Sequence, residues 1–215
     1  MGMLDVVGPV MVGPSSSHTL GALKIARFAY KLLGKTPEKV DFFLHGSFST
    51  TYRGHGSDKA LLAGIMGYRE YDYEIRNAYE IAEKKGLHFN FIKADLGDVH
   101  PNTILVKMTD SGKTYKIRGA SIGGGAIEKN EINGVRCSLN WNFDTLILVA
   151  EDKPRVLENI LKIIHVNIAN LYLRRVGALD NKAVSILELD SKPDNFDELK
   201  SIPYIYEYFY IERDK

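Results

Sequence analysis

The apolar residues of this chain change spacing twice along its length, and those changes limit what it can fold into. Between residues 17 and 33, Leu20, Leu23, Ala26, Tyr30 and Leu33 recur at three-to-four spacing, the period of an amphipathic helix, and Gly34 is a natural stop. Residues 40–44 are a short apolar run, read as a strand. That run empties into HGSFSTTYRGHGSDK, read as a Gly- and hydroxyl-rich loop, and ALLAGIMGY then continues as a second helix beginning near Ser57. YEIRNAYEIAEKK, residues 73–85, predicts a third helix closed by Gly86. From residue 87 the spacing becomes that of strands. LHFNFIK, TILVKMT, KTYKIRGAS and AIEKNEI alternate or carry β-branched residues, with Ser111-Gly112 and Asn133-Gly134 as hairpin turns.

The second change falls near Asn142. TLILVA is a strand, and PRVLENILKII is a helix with proline at its start. VNIANLYLRRV and KAVSILELD are strands joined by a Gly/Asp/Asn turn. DNFDELKSI is a short helix and YIYEYFYIE a final strand. The order strand–helix–strand–strand–helix–strand is ferredoxin-like. The expected class is α+β in two domains. Residues 1–142 place helices on a mostly antiparallel sheet, and residues 143–215 form the ferredoxin-like βαββαβ unit.

Composition removes several classes of function. Lysine and arginine number 28 against 27 acidic residues, which leaves no basic footprint for nucleic acid and no charged block for a membrane surface. No apolar run is long enough to span a bilayer. The opening MGMLDVVGPVMVG lacks a basic leader and carries Asp5, so no signal peptide is expected. A single cysteine, Cys137, excludes an internal disulfide and an all-cysteine metal or iron–sulfur site within this chain, and a reducing, cytoplasmic compartment follows.

Two stretches concentrate groups that do chemistry. GPSSSHT, residues 13–19, stands where the first helix begins. A helix start leaves backbone N–H groups unpaired and carries partial positive charge. One of Ser15, Ser16 and Ser17 caps the helix; the others can donate to a carboxylate or phosphate, with His18 and Thr19 beside it. HGSFSTTYRGHGSDKA, residues 45–60, follows a strand and opens a helix. Gly46, Gly54 and Gly56 let the backbone approach a ligand. His55, just before a helix N-terminus, is expected to stay neutral and available as a base. The plain alternative is a surface loop in which Asp58 caps the helix.

Other stretches carry less. In DVHPNT, Asn102 and Thr103 can bind a ligand or close an Asx-type turn. SIGGG, with its three glycines, can cradle a ligand or form a bulge. Neither GKT tripeptide, at 34–36 or 112–114, is a P-loop, because the required upstream glycine is replaced by Ala29 and Lys107. His45 and His55 lack further zinc-ligand spacing. Asp152, at the start of the second domain's first helix, and Asn167 and Asn170 in the facing strand, could receive an amino acid's ammonium and carboxylate; the leading alternative is a fold-stabilising turn and a dimer interface.

GPSSSHT, HGSFSTTYRGHGSDKA, DVHPNT and SIGGG occur here in one order, and in that order they closely resemble the β chain of iron–sulfur-dependent L-serine dehydratases (L-serine ammonia-lyases). The resemblance covers residues 1 to about 142, and residues 145–211 resemble an ACT domain, an amino-acid-sensing module. The resemblance implies deamination of L-serine to pyruvate and ammonia without pyridoxal phosphate. It implies a [4Fe-4S] cluster whose cysteines belong to a partner α chain, in keeping with the lone Cys137. It makes His18 and His55 the catalytic candidates, either of them the base. Ser15, Ser16, Ser17, Thr19, Gly54, Gly56, Asn102 and Thr103 become substrate-binding, with no metal ligand in this chain. It adds homodimer contacts through the ACT domain and an effector site at Asp152, Arg155 and Asn167. Arg155 departs from the family pattern, because many ACT domains have glycine there. The competing reading is a non-catalytic amino-acid or anion sensor that dimerises through its ACT domain.

Overall fold

The computed structural model describes residues 11–176 and 181–214, which separate into two compact units, Met1–Asn133 and Gly134–Lys215. The class is α+β, one unit built on a mixed sheet and the other on an antiparallel one.

In the first unit the chain enters through a π-helical turn, Ser16–Leu20, and runs on as α1, Gly21–Leu33. The expected helix is therefore present, but its first turn is wider, with the Leu20 and Gly21 amides reaching back to the Ser15 and Ser16 carbonyls. One face of α1 buries Leu23, Ile25, Ala26, Phe28 and Leu32, and Gly34 ends it in the left-handed conformation. Strand β1, Lys39–Leu44, leads to α2, Gly46–Thr51, and α3, Ser57–Ile65. The stretch after β1 is thus not a loop throughout. Buried Phe48 anchors a short helix, and the hydroxyls of Ser49, Thr50 and Thr51 fold back on the Gly46 and Ser47 carbonyls. α3 packs hard on α1: a Cβ at Gly64 would lie 2.3 Å from the Leu23 carbonyl oxygen. The expected single helix over 73–85 is divided into a 3₁₀ segment, Tyr73–Asn77, and α4, Ala78–Lys84.

The strands that follow are β2, His88–Lys93; β3, Thr103–Asp110; β4, Lys113–Gly123; and β5, Ala126–Ile132. Within this unit their order is β2-β1-β3-β4-β5. β1 pairs with β2 in parallel, whereas β1–β3, β3–β4 and β4–β5 are antiparallel. The parallel pair follows from the connection, since the helices between β1 and β2 form the crossover that parallel strands require. Ser111-Gly112 and Asn133-Gly134 both have positive φ at both residues, as a two-residue hairpin turn requires. The three glycines turn the chain from β4 into β5 beside an irregularity in the ladder, so the bend reading of SIGGG describes their backbone.

The second unit holds β6, Val135–Leu139; β7, Asp144–Glu151; α5, Val156–Ile163; β8, Ile168–Val176; β9, Lys182–Leu189; a 3₁₀ turn, Phe196–Ser201; and β10, Ile205–Ile211. Four strands form one antiparallel sheet in the order β10-β7-β9-β8. Leu146, Leu148, Leu187 and Leu189 meet Val156 and Ile160 of α5 in its core. α5 starts at Val156, after Pro154, because Arg155 takes a left-handed conformation at its N-cap (φ 69°). The expected turn between β8 and β9 lies mostly at residues 177–180, outside the described residues, as does most of the stretch read for a leader, residues 1–10.

Candidate functional site

Ser15 is the cap. Its backbone is extended, its Oγ accepts the His18 amide at 3.1 Å, and its carbonyl takes the amides of Thr19 (2.8 Å) and Leu20 (3.3 Å). Most of the first-turn donors are therefore satisfied within the chain, and the Ser16 and Ser17 amides lead the turn.

The turn aims His18 at two other parts of the sequence. Its Nε2 lies 2.8 Å from Ser47 Oγ on α2, its Nδ1 lies 3.3 Å from Ser17 Oγ, and its ring packs 5.1 Å from that of Phe48. The His55 ring is 4.8 Å away, inclined at 60°. Two backbone clasps keep the rings together: Thr19 Oγ1 donates to the His55 carbonyl, and Ser57 Oγ donates to the His18 carbonyl, each at 2.8 Å. Burial, and then the neighbouring His55, holds the His18 imidazole below its ordinary pKa of 6.5. It is consequently a neutral ring at pH 7, able to accept a proton. Nδ1 of His55 is buried and has no hydrogen-bond partner among the described residues.

The third stretch closes on the same place. Gly46 has φ 52°, and a Cβ there would lie 2.4 Å from the Pro101 carbonyl oxygen, which also accepts the Ser47 amide at 3.0 Å. The His45 amide binds the Thr103 carbonyl. Asn102 is half-buried, and its carbonyl accepts the Ser121 amide from the SIGGG stretch. Thr103 is buried and gives its hydroxyl to the His100 carbonyl at 2.6 Å, while the Asn102 amide goes to His100 Nδ1 at 3.1 Å. That hydroxyl thus closes a turn, whereas that of Thr19 is taken by the clasp to the His55 carbonyl.

All four stretches therefore meet. Ser16 and Ser17 are half-buried on the opening turn, Gly54 is exposed, and Gly56 caps α3 in the left-handed conformation. Asp58 is not the cap of α3. Its carboxylate takes the Lys59 amide (2.8 Å) and the Tyr79 hydroxyl (2.7 Å), and burial together with that bond raises the Tyr79 pKa. His45 stands apart, its Nδ1 accepting the Leu96 amide. The sequence did not single out Ser47 or Ser57. Both sit at helix starts beside a glycine, which was the available signal, but their partners are 29 and 39 residues away.

In the second unit, Asp152 pairs with Arg175 and Asn167 with Asp190. Glu151 is registered with Lys182, and Ile168 with Leu189, so Asp152 and Asn167 belong to opposite ends of β9. A single chain does not bring them together. Arg155 stays with Asp152 in the loop before α5.

Among the described residues no group of three or more His, Cys, Asp or Glu could hold a metal ion. A [4Fe-4S] cluster needs several thiolates and this chain has one cysteine, so its own donor set does not fit that group. No helix among the described residues is long and apolar enough to cross a membrane.

Residues 6–91 match the family model described as "Serine dehydratase beta chain". The chain is 38% identical to the "Probable L-serine dehydratase, beta chain" of Bacillus subtilis, covering 94% of each. It is 36% identical to the "L-serine dehydratase, beta chain" of Peptoniphilus asaccharolyticus, covering 86% of each. A shorter match, 43% identical over 35% of this chain, is to 16% of an "L-serine dehydratase" of Helicobacter pylori. With both β-chain relatives covered nearly end to end, the chain belongs to the L-serine dehydratase β-chain family.

Proposed function

We propose that this chain is the β subunit of an L-serine dehydratase, which deaminates L-serine to pyruvate and ammonia together with a separate α chain. The observation that carries the reading is the pairing of His18 and His55 at 4.8 Å, with Ser47 and Ser17 on the two nitrogens of His18. A neutral imidazole held in this way can take the α-proton of L-serine. The Ser16 and Ser17 amides and the Ser15–Ser17 hydroxyls face the carboxylate, with Asn102 and the backbone of Gly54 and Gly56 completing the pocket. Either histidine is the base. Loss of the α-proton and the β-hydroxyl leaves aminoacrylate, which tautomerises and hydrolyses.

The relatives' "beta chain" names support a partner. That partner would hold the [4Fe-4S] cluster, which supplies a Lewis acid for the β-hydroxyl, without pyridoxal phosphate. Residues 1–142 serve as the substrate domain and residues 143–215 as an ACT domain. The order β10-β7-β9-β8 with α5 and a 3₁₀ turn between strands supports a ferredoxin-like module. Since Asp152 and Asn167 are apart in one chain, that module's role here is to dimerise. A cytoplasmic location suits a chain with one cysteine.

The test is anaerobic co-expression with the cluster-bearing chain and measurement of pyruvate from L-serine. His18→Ala and His55→Ala should each lower kcat by about 100-fold or more. Complexes that form normally yet make no pyruvate, or near-normal rates in both variants, would refute the assignment.

A further inference from the structure

The histidine pair is assembled from two segments that lie far apart in the sequence, and two buried hydroxyls join them crosswise. Thr19 directly follows His18, and its Oγ1 donates to the carbonyl of His55. Ser57 stands two residues after His55, and its Oγ donates to the carbonyl of His18. Each segment thus grips the backbone of the histidine on the other. Both bonds measure 2.8 Å, and both residues are out of solvent, Thr19 at 2% exposure and Ser57 at 0%. Bulk water does not reach either donor, so a lost hydroxyl is a lost bond. The Thr19 and Ser57 amides are committed elsewhere, to the Ser15 and Tyr52 carbonyls, so it is the hydroxyls that reach across. The Thr19 methyl has a separate task. It fills the space in front of Gly13, where a Cβ would lie 2.3 Å from Cγ2. Ring contact by itself is a weak restraint. The imidazoles meet at 4.8 Å, inclined at 60°, and Nδ1 of His55 has no hydrogen-bond partner among the described residues.

We infer that Thr19 and Ser57 are positioning residues: their crossed hydrogen bonds set the spacing of His18 and His55, and neither hydroxyl touches the substrate. A hydroxyl whose hydrogen is spent on a carbonyl within the fold has none left to give to a carboxylate. Thr19, grouped with the substrate contacts by the resemblance, therefore acts through His55 instead. The effect of the pair on turnover rests on the dehydratase reading; their hold on the rings does not.

The experiment compares Thr19→Val, which deletes the hydroxyl at nearly the same shape, with Thr19→Ser, which keeps the hydroxyl and deletes the methyl, and with Ser57→Ala. NMR titration of the full chain follows the His18 ring. Steady-state kinetics of the complex assembled anaerobically with the cluster-bearing α chain give kcat and KM for L-serine. Loss of either hydroxyl is expected to let the rings part, so that the His18 pKa rises towards 6.5 as the influence of His55 fades. In the same two variants kcat is expected to fall about 10- to 100-fold, with KM changed by less than about twofold. Thr19→Ser is expected to recover the parent pKa and most of kcat. An unchanged pKa or an unchanged kcat in both hydroxyl-deletion variants overturns the clasp. So does a KM that rises while kcat holds, or a Thr19→Ser as impaired as Thr19→Val. Ser57→Ala carries the comparison if Thr19→Val does not fold. If the parent complex makes no pyruvate, the dehydratase reading fails and the NMR comparison alone decides the clasp.

Discussion

His18 owes its chemistry to its surroundings rather than to its type. Burial disfavours the imidazolium, and the adjacent His55 disfavours it further. Removing that neighbour should relax the second effect, so His55→Ala is expected to raise the His18 pKa towards 6.5, followed by NMR titration of the ring. An unchanged or lower value would show that the two rings do not interact. The sign of the linkage follows. The unfolded chain binds this proton more readily than the folded one, so the stability associated with His18 is complete above its unfolded pKa and is lost as pH falls through its lowered folded value. Both histidines were legible in the sequence because each sits beside serines or glycines at a helix start. Ser47 was not, because nothing local distinguishes it from Ser49 two residues on. Ser47 meets His18 Nε2, whereas Ser49 bonds back to its own helix.

The elements were legible where periodicity was long and less so where satisfaction was local. α1, α3, β7 and β9 carry runs of apolar residues, and the structure buries most of them. α2 reads as a loop because its hydroxyls and glycine disfavour a helix in isolation, and it is pinned by fully buried Phe48 and by the contacts of Ser47 with Pro101 and His18. Arg155 is the clearest local conflict, a long side chain in a left-handed conformation that glycine tolerates better (φ 69°). Arg155→Gly is therefore expected to raise stability by about 1 kcal/mol, measured by urea unfolding. A clear loss would mean that the guanidinium makes a contact worth more than the strain.

For the whole molecule, the donor inventory sets a limit that packing does not change. One cysteine cannot ligate a cluster, so the chain reconstituted alone with iron and sulfide under anaerobic conditions should bind no stoichiometric iron and show no charge-transfer absorbance near that of iron–sulfur proteins. Stoichiometric cluster on the isolated chain would contradict the division of labour between two subunits. The sequence by itself determined the α+β class, the two runs of strands, and the residues able to do acid–base chemistry, because hydrophobic period, turn residues and side-chain type are written locally. Tertiary structure alone decided that β1 and β2 run parallel, that Ser47 faces His18, that Asp152 and Asn167 lie apart, and that Thr19 and Ser57 each hold the histidine of the other segment. Those facts depend on contacts between residues distant in the chain, and such contacts exist only once helices and strands have packed.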